Sequence, residues 1–589
     1  MSDIIVPDFV SNPEPDVFLG QDYLVLDFET TNLEKGDPIN EDNKIVLLAW
    51  KKKDKKCVVC EPTAKNVERL LREVSSSKFI IAHNAKFECG WLKRLGVDLS
   101  TVITFCTQIG EYTLRSNRRG SVSLEASLAR RNLGGKDKFI SAMMKSGICP
   151  SEMPSFWLKK YASIDVEQCE KLYLSQVKKL FEENLEKVFY TKCLQVPVLA
   201  DIEFNGMFLD HDKVRIIYEE KTTELKRVEA QLDEITGGLN PRSNKQMSGF
   251  LYDGLGFNEP VDYRGEIVRT PKGERSASSA AIGLLKPKTK EQKVFLEIKQ
   301  KQSKLNAQVT KSLEKFMQCC DEGNSVLHAS INQCITATGR YSSTGKNYSC
   351  QFQNIERGFK SLFKARNEGW LIGEADEAQL EFRVAVWFGD DAAGREDIKN
   401  GVDAHADTAR IIKVDRQEAK SHTFKPLYGG TSGTRNERKY YKFFREKFSG
   451  VTKEQDTWVD TALIKKKLVL ATGIKFYFPD IKMTSSGYIE GNTNVRNYPV
   501  QYLATAEIVP IALVFAWHAM KKAKLESFII NTIHDSIIAE INPSERNFFA
   551  NIMSKSLEDF PVKYMKKLYG IDFDVPLGAE LKTGTHWGK

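Results

Sequence analysis

The sequence predicts a multidomain α/β protein, and three observations carry that prediction. Its 589 residues exceed what one hydrophobic core serves, which implies about three or four domains. Short apolar strands alternate with helical stretches through the first part of the chain. At residues 370–383, WLIGEADEAQLEFR, the pattern changes from strand to helix within one segment. Trp370, Ile372, Glu374 and Asp376 share a strand face, whereas Leu380, Val384, Trp387 and Phe388 follow the buried side of a helix. An acidic residue therefore stands where strand gives way to helix, with Glu377, Gln379, Glu381 and Arg383 close behind.

Hydrophobic content of 41% and charged content of 28% are ordinary for a globular enzyme. A net charge of +8 permits a polyanionic partner without demanding one. No apolar run is expected to reach the roughly 18–20 residues of a membrane helix, so no membrane partner is expected. The acidic, proline-bearing N-terminus reads as neither signal nor transit peptide. Eleven cysteines are scattered without a disulfide framework, and Cys57-Val-Val-Cys60 lacks a second pair at zinc spacing. A reducing, cytoplasmic setting is the expectation.

In chain order, residues 23–30 read as a strand with Asp27 and Glu29 on one face. Residues 45–50 form a second strand, followed by a lysine-rich turn that is either solvated or in contact with nucleic acid. Residues 79–82 form another strand, leading into His83-Asn84-Ala-Lys-Phe87-Glu88 and a helix. Tyr161 and Asp165 are neighbours on one helix face. Four carboxylates and a phenol are what metal-assisted phosphodiester hydrolysis requires, because hard divalent ions prefer oxygen ligands. The order D-x-E, N-x-x-F-E, Y-x-x-x-D resembles the 3′-5′ exonuclease domain of DNA polymerases, with its RNase H-like fold. That resemblance implies that Asp27, Glu29 and Asp165 bind metal, that Tyr161 orients the attacking water, and that Asn84 lines the site around a single-stranded 3′ end. Glu88 stands where the family usually has Asp.

Residues 193–210 resemble the entry to the polymerase half of bacterial polymerase I. Amphipathic helices are expected over 214–235 and 290–317, separated by a polar, basic, flexible tip. This suits a thumb that holds duplex through its phosphates, or a helical linker with a disordered loop. Thr336-Ala-Thr338-Gly339-Arg340 and Gln353-Asn354 resemble segments of family A DNA polymerases that touch primer and template. Residues 370–383 resemble that family's first palm motif. It implies Asp376 as a ligand of both metals, with Gln379 and Glu381 lining the nucleotide pocket. Asp403-Ala-His405 resembles a segment whose histidine meets the incoming phosphates.

Arg416, Lys420, Phe424 and Tyr428 recur every four residues, a stripe drifting by about 40° per step on an α-helix. Cations at one end and rings at the other match the polarity of a nucleoside triphosphate. The stripe resembles the family's fingers helix, although Pro426 should bend or shorten its last turn. Asn497-Tyr-Pro-Val-Gln501 resembles a palm segment, implying substrate contacts for Asn497 and Gln501. Residues 528–541 read as a buried hairpin presenting His534 and Asp535. The resemblance makes Asp535 the second metal-binding aspartate, with Ser536 where relatives carry Glu.

The chain is thus identified as a member of DNA polymerase family A, a right-hand polymerase preceded by a 3′-5′ exonuclease domain. The implied divisions are 1–185 exonuclease, 186–330 entry and thumb, 331–395 first palm part, 396–485 fingers and 486–589 second palm part. Two Mg²⁺ per active site are implied, with Mn²⁺ able to substitute. The implied partners are primer-template DNA and deoxynucleoside triphosphates, with a replicative helicase, primase or single-strand binding protein as further candidates. Size, the apparent lack of a 5′-nuclease domain and the substitutions favour replication of phage DNA in a host cytoplasm. A cellular or organellar repair polymerase is the alternative. Phe424 lacks a hydroxyl that could replace a missing 3′-hydroxyl. A Phe424→Tyr variant should therefore incorporate dideoxynucleotides more readily, read as increased chain termination on a primed template.

Overall fold

The computed structural model describes residues 4–135, 138–262, 266–345, 349–485 and 487–588. The chain forms two compact units, one of Met1–Met207, His328–Ser361 and Ala365–Lys589, the other of Phe208–Leu327 and Leu362–Lys364.

The first unit opens with a five-stranded sheet: β1 (Tyr23–Thr30), β2 (Ile45–Lys52), β3 (Val58–Cys60), β4 (Phe79–Ala82) and β5 (Thr104–Cys106), in the order β3-β2-β1-β4-β5. The central β1 pairs antiparallel with β2 and parallel with β4. Leu24, Val25 and Leu26 along it are all buried, as expected of a strand covered on both faces. Around the sheet lie α1 (Lys86–Arg94), α2 (Thr107–Arg115), α3 (Lys138–Lys145) and the long α4 (Ser155–Glu182). α5 (Glu186–Asn205) is buried without a break from Val188 to Ile202. A helix apolar on all sides belongs inside a core.

The second unit is built on α6 (His211–Thr236), α7 (Lys290–Gln308) and α8 (Glu314–Asp321). Leu225 and Val228 of α6 pack on Leu305 of α7 and on Val309. Thr289 and Gln292 form a reciprocal capping box that starts α7, satisfying two otherwise orphaned amides. The flexible tip expected from composition is corrected among the described residues. Leu232, Met247, Leu251, Phe257, Ile282 and Phe295 form a core there. Short apolar groups between the long helices converge on Leu232 of α6 and Phe295 of α7.

In the rest of the first unit, β6 (Leu371–Glu377), β7 (Phe528–Ile533), β8 (Ser536–Ile541) and β9 (Ala579–Gly584) make an antiparallel sheet ordered β7-β8-β6-β9. α9 (Leu380–Phe388) follows β6 after a left-handed residue, Gln379, at φ +56°. Trp387 and Phe388, expected on its buried stripe, are only half-buried, and Phe382 and Val386 take the core positions instead. Further on come α10 (Ala404–Ile412) and α11 (Arg416–Thr423). The helical run Asn492–Lys522 is long and apolar enough to cross a membrane, and its most apolar 18-residue stretch is fully buried in the protein's own core. This corrects the expectation that no run reaches that length.

Several contacts tie the first sheet's helices to the second sheet's surroundings. Tyr112 of α2 donates to the Thr336 carbonyl at 2.7 Å. The Asn117 amide both donates to the Tyr477 carbonyl and accepts from the Tyr477 amide, each at 2.8 Å. Lys86 of α1 reaches the Ile331 carbonyl at 2.5 Å. Glu540 on β8 is fully buried and paired with Arg366 at 2.9 Å, which also donates to the Asn205 carbonyl. Removing the cation from a buried pair leaves an uncompensated charge. Arg366→Ala should lower the unfolding free energy by about 3 kcal/mol, measured by chemical denaturation.

Candidate active sites

The first site lies where β1 meets α4. Two-residue alternation sends Asp27 and Glu29 to one side of β1, and α4 brings Asp165 to them. Each of the three offers a carboxylate oxygen, all within 4.8 Å of one another. Glu29 and Asp165 are buried, so their mutual repulsion is poorly screened. A cluster of hard oxygen donors held this closely fits a divalent cation. Tyr161, one turn before Asp165, is buried against Leu158 and Ile140.

Glu88 on α1 lies outside the three-carboxylate group but senses it. Burial pushes its carboxyl well above the ordinary range, and the charges of Asp27 and Glu29 add to the shift. Its Oε2 is buried with no hydrogen-bond partner among the described residues. Asn84 precedes α1 at φ +65°, and its carbonyl accepts from the Phe87 amide at 2.8 Å.

The second site is set by strand register. Asp376 on β6 stands opposite Ser536 on β8, and the two-residue turn before Ser536 carries His534 and Asp535. Asp376 and Asp535 lie side by side, close enough for each carboxyl to feel the other. Burial raises both carboxyls; the Glu374 charge adds to the shift of Asp376, and the Asp376 charge to that of Asp535. Two half-buried carboxylates set side by side fit a site for divalent cations. Ser536 instead donates to the Ile533 carbonyl at 2.8 Å, closing the hairpin. Glu377, on the opposite strand face, is 3% exposed, and burial raises its carboxyl strongly.

Around this pair the structure assembles residues from distant segments. Arg340 reaches His534 Nδ1 at 2.6 Å. Burial, then the charges of Arg340 and Lys360, lower the His534 pKa to about 4, so at neutral pH its ring nitrogen accepts that bond. The His534 amide donates to Gln353 Oε1 at 3.0 Å. Thr338 Oγ1 donates to Gln501 Oε1 at 2.8 Å. Asn497 Oδ1 is buried without a hydrogen-bond partner among the described residues.

The Arg416–Tyr428 stripe is corrected in one respect. α11 ends at Thr423, and Pro426–Tyr428 form a tight 3-10 turn, so Phe424 and Tyr428 lie beyond the helix. Proline removes an amide and crowds the preceding turn, as Pro426 led us to expect. The turn brings the Tyr428 hydroxyl onto Glu381. Phe424 stacks on Phe382 with centroids 5.7 Å apart and meets the His405 ring edge-on at 5.4 Å. Arg416 Nε is held by Asp403 at 2.8 Å. Burial, then Arg357, Arg416 and Lys582, push the Lys420 ammonium down.

Three cations escaped sequence reasoning: Arg357, Lys360 and Lys582. Lys582 stands opposite Glu374 across β6 and β9, and its charge is felt by both Asp376 and Lys420. Lys360 pairs with Glu374 at 2.7 Å. No local pattern announced them, because strand pairing from the far end of the chain brings Lys582 in.

Comparisons with known proteins match two segments of the chain. The model of DNA polymerase family A matches residues 211–589, and a 3′-5′ exonuclease model matches residues 18–186. DNA polymerase I of Aquifex aeolicus is 25% identical over 96% of both chains. DNA polymerase I of Bacillus subtilis is 25% identical over 69% of this chain and 46% of its own length. The thermostable DNA polymerase I of Thermus filiformis is 27% identical over 66% of this chain and 47% of its own. The chain therefore spans less than half of these last two relatives. A solved structure of the polymerase domain of Pol1 from M. smegmatis, in complex with DNA primer-template and dNTP, superposes with a TM-score of 0.77 at 19% identity, covering 99% of each chain.

The Asp376–Asp535 pair makes stability depend on pH. Asp535 moves from 3.8 to about 7, so between those values the folded state holds more protons than the unfolded one. The stability contributed by this group therefore falls as pH rises through that window. Without divalent ions, Asp535→Asn should melt higher than wild type at pH 8, with the gap closing near pH 4. Added Mg²⁺ should raise the wild-type melting temperature more at pH 8 than at pH 5, and raise that of Asp535→Asn less.

Proposed function

The chain belongs to DNA polymerase family A and carries a 3′-5′ exonuclease domain, and from that premise we propose a division of labour between its two carboxylate sites. Asp376 and Asp535 serve template-directed addition of deoxynucleotides to a primer 3′-hydroxyl, and Asp27, Glu29 and Asp165 serve removal of nucleotides from a 3′ end. The observation that carries this reading is the approach of two acids, from β6 and the β7–β8 turn, close enough that the Asp376 charge raises the Asp535 carboxyl, with the Lys582 charge felt by both Asp376 and Lys420 of α11. In it, the second unit is the thumb, the second sheet the palm, and the α10–α11 region the fingers.

At the polymerase site, Arg416 and Lys420 neutralise the triphosphate, with Lys582 and Arg357 adding positive field. To do so, Arg416 exchanges Asp403 for phosphate. Phe424 abuts the sugar, and Glu381, held by Tyr428, crowds a ribose 2′-hydroxyl and so favours deoxynucleotides. His534, neutral, keeps Arg340 beside the turn that bears Asp535. Asp376 and Asp535 would hold Mg²⁺, which supplies activation of the attacking hydroxyl and stabilisation of the leaving oxygens when bound. At the exonuclease site Tyr161 orients the attacking water beside Asp165, and Glu88 keeps a further carboxyl within electrostatic reach.

The bacterial DNA polymerase I relatives support cellular repair and gap filling better than the phage replication suggested by sequence. Primer-template DNA, deoxynucleoside triphosphates and a single-stranded 3′ end are the partners this reading needs.

Primer extension with deoxynucleotides and Mg²⁺ tests it. Asp376→Ala should abolish extension and keep trimming, and Asp27→Ala should abolish trimming and keep extension, each by at least about a hundredfold. Wild-type protein that extends no primer would overturn the assignment.

A further inference from the structure

The first unit carries an aromatic patch that the proposed function does not use. Phe156 and Trp157 lie in the first turn of α4, and Phe139 near the start of α3. They are 72%, 42% and 64% exposed respectively, although large rings ordinarily bury most of their surface. The Trp157 ring joins them, with its centroid 5.6 Å from that of Phe156 and 6.2 Å from that of Phe139. Lys160 Nζ lies 5.8 Å from the Trp157 ring. Beneath the patch, Ile140, Met143 and Met144 pack against Leu158 and Tyr161. The rings therefore stand on packed helices.

Position gives the patch a use. Trp157, Tyr161 and Asp165 recur every four residues on α4, so the stripe that ends in the three-carboxylate cluster begins at the rings. Eight helical residues span about 12 Å, roughly the length of three stacked nucleotides. A strand whose 3′ end lies at Asp165 therefore brings a base to Trp157 after about three steps.

Building on the exonuclease reading above, we propose that Phe139, Phe156 and Trp157 form a base-stacking platform for the single-stranded DNA whose 3′ end enters the carboxylate site. Aromatic faces take any base without reading its sequence, which suits a strand of arbitrary sequence. The exposed Lys160 and the half-buried Lys159 place positive charge beside the rings for the phosphates. The helical stripe continuous with Asp165 and these lysines favour nucleic acid over a protein partner's apolar face.

The test compares wild type, a Phe156→Ala/Trp157→Ala double variant and Trp157→Phe, with thermal unfolding as the check on folding. Exonuclease KM is measured on a trinucleotide and on a single strand of about ten nucleotides. The double variant should raise the KM of the longer strand about tenfold and so erase its advantage over the trinucleotide, while Trp157→Phe should keep most of it. In an Asp27→Ala background, which binds without cutting, 2-aminopurine at the fourth nucleotide from the 3′ end should be quenched. The double variant should lose that quenching. If it keeps both the length advantage and the quenching, the platform is overturned while the exonuclease reading stands. Wild type that trims neither strand overturns the exonuclease reading itself.

Discussion

The pairing of β6 with β8 is the constraint on which the polymerase half depends. Their register sets Asp376 opposite Ser536, one residue from the turn that bears Asp535. Because side chains alternate along a strand, a slip of one residue would send Asp376 to the other face and separate the acids. Register is therefore protected from both ends. Ile537, Ile538, Ala539 and Ile541 are fully buried on β8, and the Ser536 hydroxyl closes the turn onto Ile533. The Arg366–Glu540 pair then anchors β8 to the end of α5. Holding two half-buried carboxylates together is unfavourable by itself, and the hydrophobic strands around them supply the stability that allows it.

The three-carboxylate cluster at the first sheet solves the same electrostatic problem with different elements. There, a central strand contributes two acids and a long helix the third, so convergence follows from how α4 crosses the sheet. Glu88 is one step removed, close enough to feel the charges of Asp27 and Glu29 and outside the tight group. A longer carboxylate on a helix that starts beside Asn84 produces that offset.

Much of this was legible where local pattern and tertiary role coincide. Strand β1, strand β4 and the hairpin around Asp535 lie where two-residue alternation and apolar runs put them, since each is buried in a sheet that local pattern already describes. Pro426 announced an early helix end, because a missing amide acts within one turn. What stayed hidden depends on partners far along the chain. Lys582 reaches the site only through β9, and the Tyr428–Glu381 bond arises because the tight turn after Thr423 redirects a side chain that a continuous helix would have aimed elsewhere. The core at the tip of the second unit was invisible for another reason: its apolar residues come in short, separate groups, such as Phe250-Leu251-Tyr252, that meet only in the fold.

The bonds of Asn117 and Tyr112 bear on how this enzyme can be altered. Asn117 grips the backbone of Tyr477, and Tyr112 grips the carbonyl of Thr336, in the loop that delivers Arg340 to His534. Both bonds address main-chain atoms, so they tolerate drift in the side chains they touch but vanish altogether if the first sheet and its helices are cut away. The trimming half is thus also scaffolding for the synthetic half. A version that copies without correcting itself is better obtained by silencing one carboxylate in place than by excision, and the same logic would let a lineage lose the activity long before it could lose the domain.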